Sequence, residues 1–199
     1  METSEVLDLL RGSGALLEGH FELSSGLHSD RYFQCALGLC EPQRAEVLAR
    51  ALAEKLPYEV DLVVGPALGA VVWAQEMARA LGTPAYFTER SQGEMLLRRG
   101  FSVEPKTRVL VVEDVITTGG SAREVVEVLR GMGAVVCGVG TLVNRSGGNP
   151  YEDLGMELTS LAAVEVETWE PGECPLCADG GEPTKPGSKK LVNSGGGAG

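Results

Sequence analysis

An α/β domain built around a parallel sheet is the fold class that this sequence predicts, and three observations point to it. Short, continuously apolar runs such as Leu62-Val63-Val64 and Val109-Leu110-Val111-Val112 read as strands covered on both faces. Stretches of helical periodicity separate these runs, the pattern of a doubly wound sheet joined by right-handed crossovers. The chain has 199 residues, 43% hydrophobic and 23% charged, which suits one domain able to bury a core without cross-links.

The apolar stripe Val6, Leu7, Leu9 and Leu10 predicts a helix over residues 3–11. Residues 14–40 are rich in Gly, Ser and aromatics, lack a helical period, and predict short strands and loops. Glu41-Pro42 opens a long helix carrying Val47, Leu48, Ala51, Leu52 and Leu56, proline being tolerated in a first turn. A strand at 61–65, a helix at 68–81 and a strand at 84–87 follow, then a charged loop or hairpin at 89–100. Residues 108–115 are the strongest strand in the chain. A helix over 122–132 and strands at 134–143 and 161–167 complete the alternation. From Trp169 the composition shifts to Gly, Pro and Lys, and 191–199 is expected to be a disordered tail.

The formal net charge of −11 argues against nucleic acid as a partner, because such binding rests on neutralising phosphates with Lys and Arg. The arginines that cluster between Arg90 and Arg99 suit a small anion held at one place. No apolar run is long enough to span a bilayer, and the acidic N-terminus lacks the features of a signal peptide. A cytoplasmic protein with no membrane partner is expected. Of five cysteines, Cys35, Cys40 and Cys137 lie in or beside apolar stretches and are expected to be buried small hydrophobes.

The most informative segment runs from Val109 to Ser121. An apolar strand ends in two adjacent carboxylates, Glu113 and Asp114. Val115 and Ile116 follow, then the turn Thr117-Thr118-Gly119-Gly120-Ser121, then a helix. Ligands of open α/β sheets sit outside the carboxyl ends of the strands. Glycines let backbone N–H groups approach an anion, and the helix N-terminus adds its dipole. The carboxylates would repel that anion, so their place beside it fits sugar hydroxyls and positive charge developing on a sugar ring. The bland alternative, a solvated strand end and an ordinary helix cap, does not account for the whole string. No lysine of the nucleoside-triphosphatase kind stands at the turn.

Residues 111–121 resemble the phosphoribosyl pyrophosphate (PRPP) motif of the type I phosphoribosyltransferases. The resemblance implies that Glu113 and Asp114 contact the ribose hydroxyls and act in catalysis. It also implies that Thr117 to Ser121 take the 5-phosphate. A second string, Gly19 to Gln34, is similar to the orotate branch of that family, where it forms part of a hood over the base. Tyr32 and Phe33 match aromatic positions that can stack on a pyrimidine. Arg145, after the strand that follows the motif, matches an orotate contact, and an Arg fork suits the orotate carboxylate. Thr117 matches another. Ala67, Leu68 and Gly69, within the loop 65–70, resemble the loop that holds pyrophosphate.

The fold implied is a type I phosphoribosyltransferase sheet flanked by helices, a single domain over 1–190 with a small hood from about 1–40 and 168–190. The implied reaction is transfer of phosphoribose from PRPP to orotate in pyrimidine nucleotide synthesis, with Mg2+ as cofactor and a homodimer as the working form. A purine or other base phosphoribosyltransferase, or a PRPP-sensing regulator, are the alternatives. The sequence departs from the family pattern in places. Ser24 stands where a lysine is common, and the pyrophosphate loop also lacks its lysine. In the mobile-loop region only Arg90 matches, which leaves Arg98 or Arg99 to supply the charge of the missing lysines and histidine. Arginine cannot serve as a general acid.

Cys174-Pro175-Leu176-Cys177 near the end has the spacing of half a zinc site. The residues available to complete it are Cys35, Cys40, His20 and His28, with no second knuckle among them. Two thiols in a turn is the expected outcome, with a redox pair or a disulfide as alternatives.

Overall fold

The computed structural model describes residues 1–23 and 25–186; Ser24 and the expected tail at 191–199 lie outside the described residues. The chain opens with helix α1 (Thr3–Gly12), strands β1 (Leu16–Glu22) and β2 (His28–Phe33), and helices α2 (Cys35–Leu39) and α3 (Pro42–Ala53). Strand β3 (Leu62–Pro66), helix α4 (Gly69–Leu81), and strands β4 (Ala85–Ser91), β5 (Glu94–Leu97) and β6 (Arg108–Ile116) follow. Then come helix α5 (Gly120–Gly131), strand β7 (Val135–Asn144), a single 3-10 turn (Glu152–Leu154), strands β8 (Leu158–Ala163) and β9 (Thr168–Trp169), and helix α6 (Pro175–Ala178).

These elements fall into two compact units. The larger contains residues 1–16 and 34–165; the smaller contains 17–33 and the chain from Val166 onward. The expected hood of 1–40 and 168–190 therefore overlaps the smaller unit, but α1 and α2 belong to the larger one.

The larger unit is a six-stranded sheet in the order β5-β4-β3-β6-β7-β8. All neighbouring pairs are parallel except the β4–β5 hairpin. The alternation of apolar side chains sorts its two faces. Leu62, Val64, Val109 and Val111 pack with Ala122, Val125, Val126 and Leu129, the buried stripe of α5. That stripe has the i, i+3, i+4, i+7 spacing of an amphipathic helix. Leu110 and Val112 point the other way, beside Gly140 and Leu52 of α3, and α4 lies against β3, β4 and β6. A β-carbon at Gly140 would come within 3.3 Å of Leu52, so the glycine lets α3 settle onto the sheet.

Of the loop or hairpin expected at 89–100, the hairpin forms, and Gln92 and Gly93 take positive φ values of 55° and 91°, as a two-residue turn between antiparallel strands requires. Other expectations need correction. A short helix, α2, occupies residues that predicted only strands and loops. The strand expected at 161–167 ends at Ala163 and begins earlier, at Leu158, where it pairs with Val139. Cys40 is exposed and Cys137 half-buried, leaving Cys35 alone of those three as a buried hydrophobe.

The smaller unit holds a three-stranded sheet in the order β1-β2-β9. Strand β9 pairs antiparallel with β2, His28 opposite Trp169, and a bridge joins Phe21 to Thr184.

Burial on both faces of β6 has a measurable consequence. Leu110→Ala is expected to destabilise the protein by about 2–5 kcal/mol. Val47→Ala, on the half-exposed face of α3, should stay within about 0.5 kcal/mol. Urea unfolding of both variants checks this, and similar losses would contradict the assignment of the faces.

Candidate active site

Strands β3 and β6 are neighbours, yet the chain leaves β3 towards β4 on one side and leaves β6 towards β7 on the other. Crevices of open α/β sheets lie where the strand order reverses in this way, outside the carboxyl ends. The turn after β3 and the turn after β6 meet at that point.

Glu113 and Asp114 follow the buried run Val109–Val112 of β6 and are themselves half-buried. The carboxylate of Asp114 accepts a hydrogen bond of 2.9 Å from the Val115 N–H. Across from it stands the β3–α4 turn, Ala67-Leu68-Gly69, in which the Ala67–Leu68 peptide bond is cis. A β-carbon at Gly69 would lie 3.1 Å from an Asp114 carboxylate oxygen, so a residue with a side chain would crowd the acid. Leu68 is 87% exposed and projects from the turn into solvent.

Glu113 belongs to a small hollow of about 60 Å³, lined also by Val115 through Ser121 and by Tyr151. The hollow exceeds the space of a single water several-fold and suits a small anion. Gly119 caps helix α5 with φ of 78°, and a β-carbon there would meet Pro150 at 2.8 Å and the Tyr151 hydroxyl at 2.9 Å. Conformation and space both call for glycine. The Tyr151 hydroxyl donates to the Gly119 carbonyl at 3.2 Å, and Arg123 ties Asp153 and the Pro150 carbonyl to α5. Tyr151 is fully buried; sequence reading missed it, although Asn149-Pro150 is a turn signal that could have drawn attention to this segment.

The acid pair is held in a poorly solvated place. Burial pushes the Glu113 carboxyl up to about 8, and the charge of Asp114 adds to the shift. Burial likewise raises Asp114, while the Val115 N–H opposes the rise. Adjacent carboxyls in such surroundings disfavour double ionisation. Asp114 also faces Cys35 of α2, whose thiol is raised chiefly by burial and secondarily by that carboxylate.

Other expected residues take up different positions. The backbone N–H of Arg145 donates to the Ile116 carbonyl at 2.8 Å, which fixes residue 145 beside the β6 turn with its side chain half-buried. Arg90, on β4, bonds the Gly93 carbonyl and the Glu124 carboxylate, so in this state it leans on α5 and does not line the hollow. Arg98 and Arg99 both pair with Glu89. Tyr32 and Phe33 lie on β2 of the smaller unit, Phe33 buried and Tyr32 half-buried with its ring 6.0 Å from that of Phe21.

The raised carboxyls set a pH dependence. The folded protein keeps the Glu113 proton up to about 8, whereas the unfolded chain releases it near its ordinary 4.5. Folded protein therefore binds more protons in that window, and stability falls as pH rises through it. Thermal melts of ligand-free protein between pH 5 and 8 should show the decline, and Glu113→Gln should flatten it. An unchanged slope in the variant would contradict the buried-acid assignment.

Comparison with known proteins adds an independent line. Residues 41–156 match the model of the phosphoribosyl transferase domain. The chain is 55% identical over 179 residues to the orotate phosphoribosyltransferase of Carboxydothermus hydrogenoformans, covering 88% of this chain and 93% of that one. Among solved structures, orotate phosphoribosyltransferase from Aeropyrum pernix is similar with a TM-score of 0.68 at 30% identity, over 80% of this chain and 93% of the other. The Mycobacterium tuberculosis orotate phosphoribosyltransferase in complex with PRPP is similar with a TM-score of 0.61 at 26% identity, over 81% and 89%. The chain belongs to the phosphoribosyltransferase family, among the orotate phosphoribosyltransferases.

Proposed function

We propose that this protein transfers the 5-phosphoribosyl group of PRPP to orotate, releasing pyrophosphate and forming orotidine 5'-phosphate on the route to UMP. In this reading it works as a cytoplasmic homodimer with Mg2+. The observation that carries the reading is the half-buried acid pair Glu113–Asp114 beside the anion-sized turn Thr117–Ser121, at the reversal of the sheet.

The 5-phosphate rests on the backbone N–H groups and hydroxyls of the turn, aided by the α5 N-terminus. The ribose hydroxyls donate to Glu113 and Asp114. As the bond from the anomeric carbon to pyrophosphate breaks, its electron pair leaves with pyrophosphate and positive charge grows on the ribose. The acid pair stabilises that charge. An orotate nitrogen then bonds the anomeric carbon, and its proton passes to solvent. Arg145 forks onto the orotate carboxylate, Thr117 makes a second contact, and Tyr32 and Phe33 supply the aromatic surface. Ala67, Leu68, Gly69 and Arg90 hold the pyrophosphate. The work is positioning and electrostatics.

Magnesium fits on donor chemistry, since Glu113 and Asp114 offer hard carboxylate oxygens of the kind it prefers. When bound it neutralises the pyrophosphate leaving group. Support for a dimer comes from an apolar groove of about 400 Å³ lined by Val71, Val72, Tyr86, Phe87 and Phe101, with Val72 49% exposed, a surface of the kind that partners cover. The described residues include no helix long and apolar enough to cross a membrane.

Initial rates with PRPP and a panel of orotate, uracil, adenine, hypoxanthine, guanine and xanthine test the assignment, and orotate alone should turn over. Arg145→Ala should raise the KM for orotate roughly 10- to 100-fold, the equivalent of a lost charge-assisted hydrogen bond, and change the KM for PRPP much less. Turnover of a purine with orotate inert would overturn the base assignment.

A further inference from the structure

Cys174 and Cys177 are the two free thiols in a turn that the sequence led one to expect, but they do not stand alone. The smaller unit brings His20 of β1 and His28 of β2 to them, and one donor atom from each of the four residues lies within 4.8 Å of every other. His20 Nε2 and His28 Nδ1 are 2.9 Å apart. The Cys174 Sγ is 3.4 Å from His20 Nε2. The Cys177 Sγ is 3.7 Å from His20 Nε2 and 3.3 Å from His28 Nδ1. We propose that His20, His28, Cys174 and Cys177 form a closed Cys2His2 site for one structural zinc ion.

Size and chemistry both favour this. Zinc takes imidazole nitrogen at about 2.0–2.1 Å and thiolate sulfur at about 2.3 Å, so neighbouring donors of a tetrahedral site stand roughly 3.3–3.8 Å apart. The four separations given above agree to within about half an ångström, the histidine pair, at 2.9 Å, falling shortest. A tetrahedral set of two sulfurs and two nitrogens is the donor choice of zinc rather than of Mg2+ or Ca2+. Two thiolates and two neutral imidazoles balance the charge of a divalent ion. A simple hydrogen bond between the histidines would leave the approach of both cysteine sulfurs to them without a purpose.

Local structure presents the ligands. Cys174 is the N-cap of α6 with extended backbone, and Pro175 begins the turn. The Ala178 N–H returns to the Cys174 carbonyl, curling the segment so that both sulfurs face one way. The histidines project from neighbouring strands of one sheet. All four ligands are protein groups, two of them buried and two half-buried, which leaves no open position for substrate and marks the site as structural.

The smaller unit has reason to need such an ion. Among its described apolar side chains, only Phe21, Phe33 and Cys174 are buried, its strand β9 has two residues and its helix α6 has four. A core this thin is the usual setting for a metal staple. The ion would join segments 149 to 157 residues apart in sequence, and clips that close long loops remove the most chain entropy.

The test uses the full chain, purified without a histidine tag and without chelator. Elemental analysis should find about one zinc per chain. Cobalt exchanged into the protein should give the intense ligand-field bands of a tetrahedral site together with a thiolate-to-cobalt charge-transfer band. Cys177→Ser should lose the charge-transfer intensity or the metal, and Cys137→Ser should keep both. Should Cys177→Ser fail to fold, metal content and cobalt spectrum of the unmutated protein still decide. Absence of metal, stoichiometric iron in place of zinc, or a Cys174–Cys177 disulfide in the isolated protein would overturn the proposal.

Discussion

Two carboxyl groups side by side at the buried end of a sheet strand are an unfavourable arrangement for a resting protein, and the larger unit is organised around keeping them there. Burial is the largest cause raising both proton affinities, so the pair is under-solvated before any ligand arrives. Such a site gains when hydroxyl donors or positive charge enter it. The parallel register of β6 between β3 and β7 fixes where the acids stop. Gly69 clears space against Asp114, while Gly119 and the Tyr151 hydroxyl set the turn beyond Glu113.

Opposite preferences thus sit within a few residues of each other. Backbone N–H groups and a helix N-terminus favour an anion, while the acids next to them favour the hydroxyls and the cationic character of a sugar. A phosphorylated ribose carries both demands in one molecule. The arginines around the β4–β5 hairpin are matched by carboxylates of the chain itself, Arg90 with Glu124 and Arg98 and Arg99 with Glu89.

Much of this was legible in the residues. Strands β3 and β6 declare themselves by unbroken apolar runs, and helices α3, α4 and α5 by their period. The acid pair and the turn are contiguous in sequence, so the hollow they form could be read directly. What escaped was whatever depends on distant partners. The α2 segment is too short to show a helical period. Strand β8 starts earlier than its composition suggests because β7 pairs with it from Val139 onward. Tyr151 reaches Gly119 across 32 positions. His20 and His28 gave no metal-binding spacing of their own, and their relation to Cys174 and Cys177 exists only once β2, β9 and the final helix are folded together.

The position of the phosphorylated sugar decides how the acid pair and the turn work together. A crystal structure of the protein with PRPP and Mg2+ measures it directly. The account predicts the 5-phosphate on the amides of residues 117–121 and both ribose hydroxyls within hydrogen-bond distance of Glu113 and Asp114. Sugar density elsewhere, or a phosphate turned away from that bend, would contradict it.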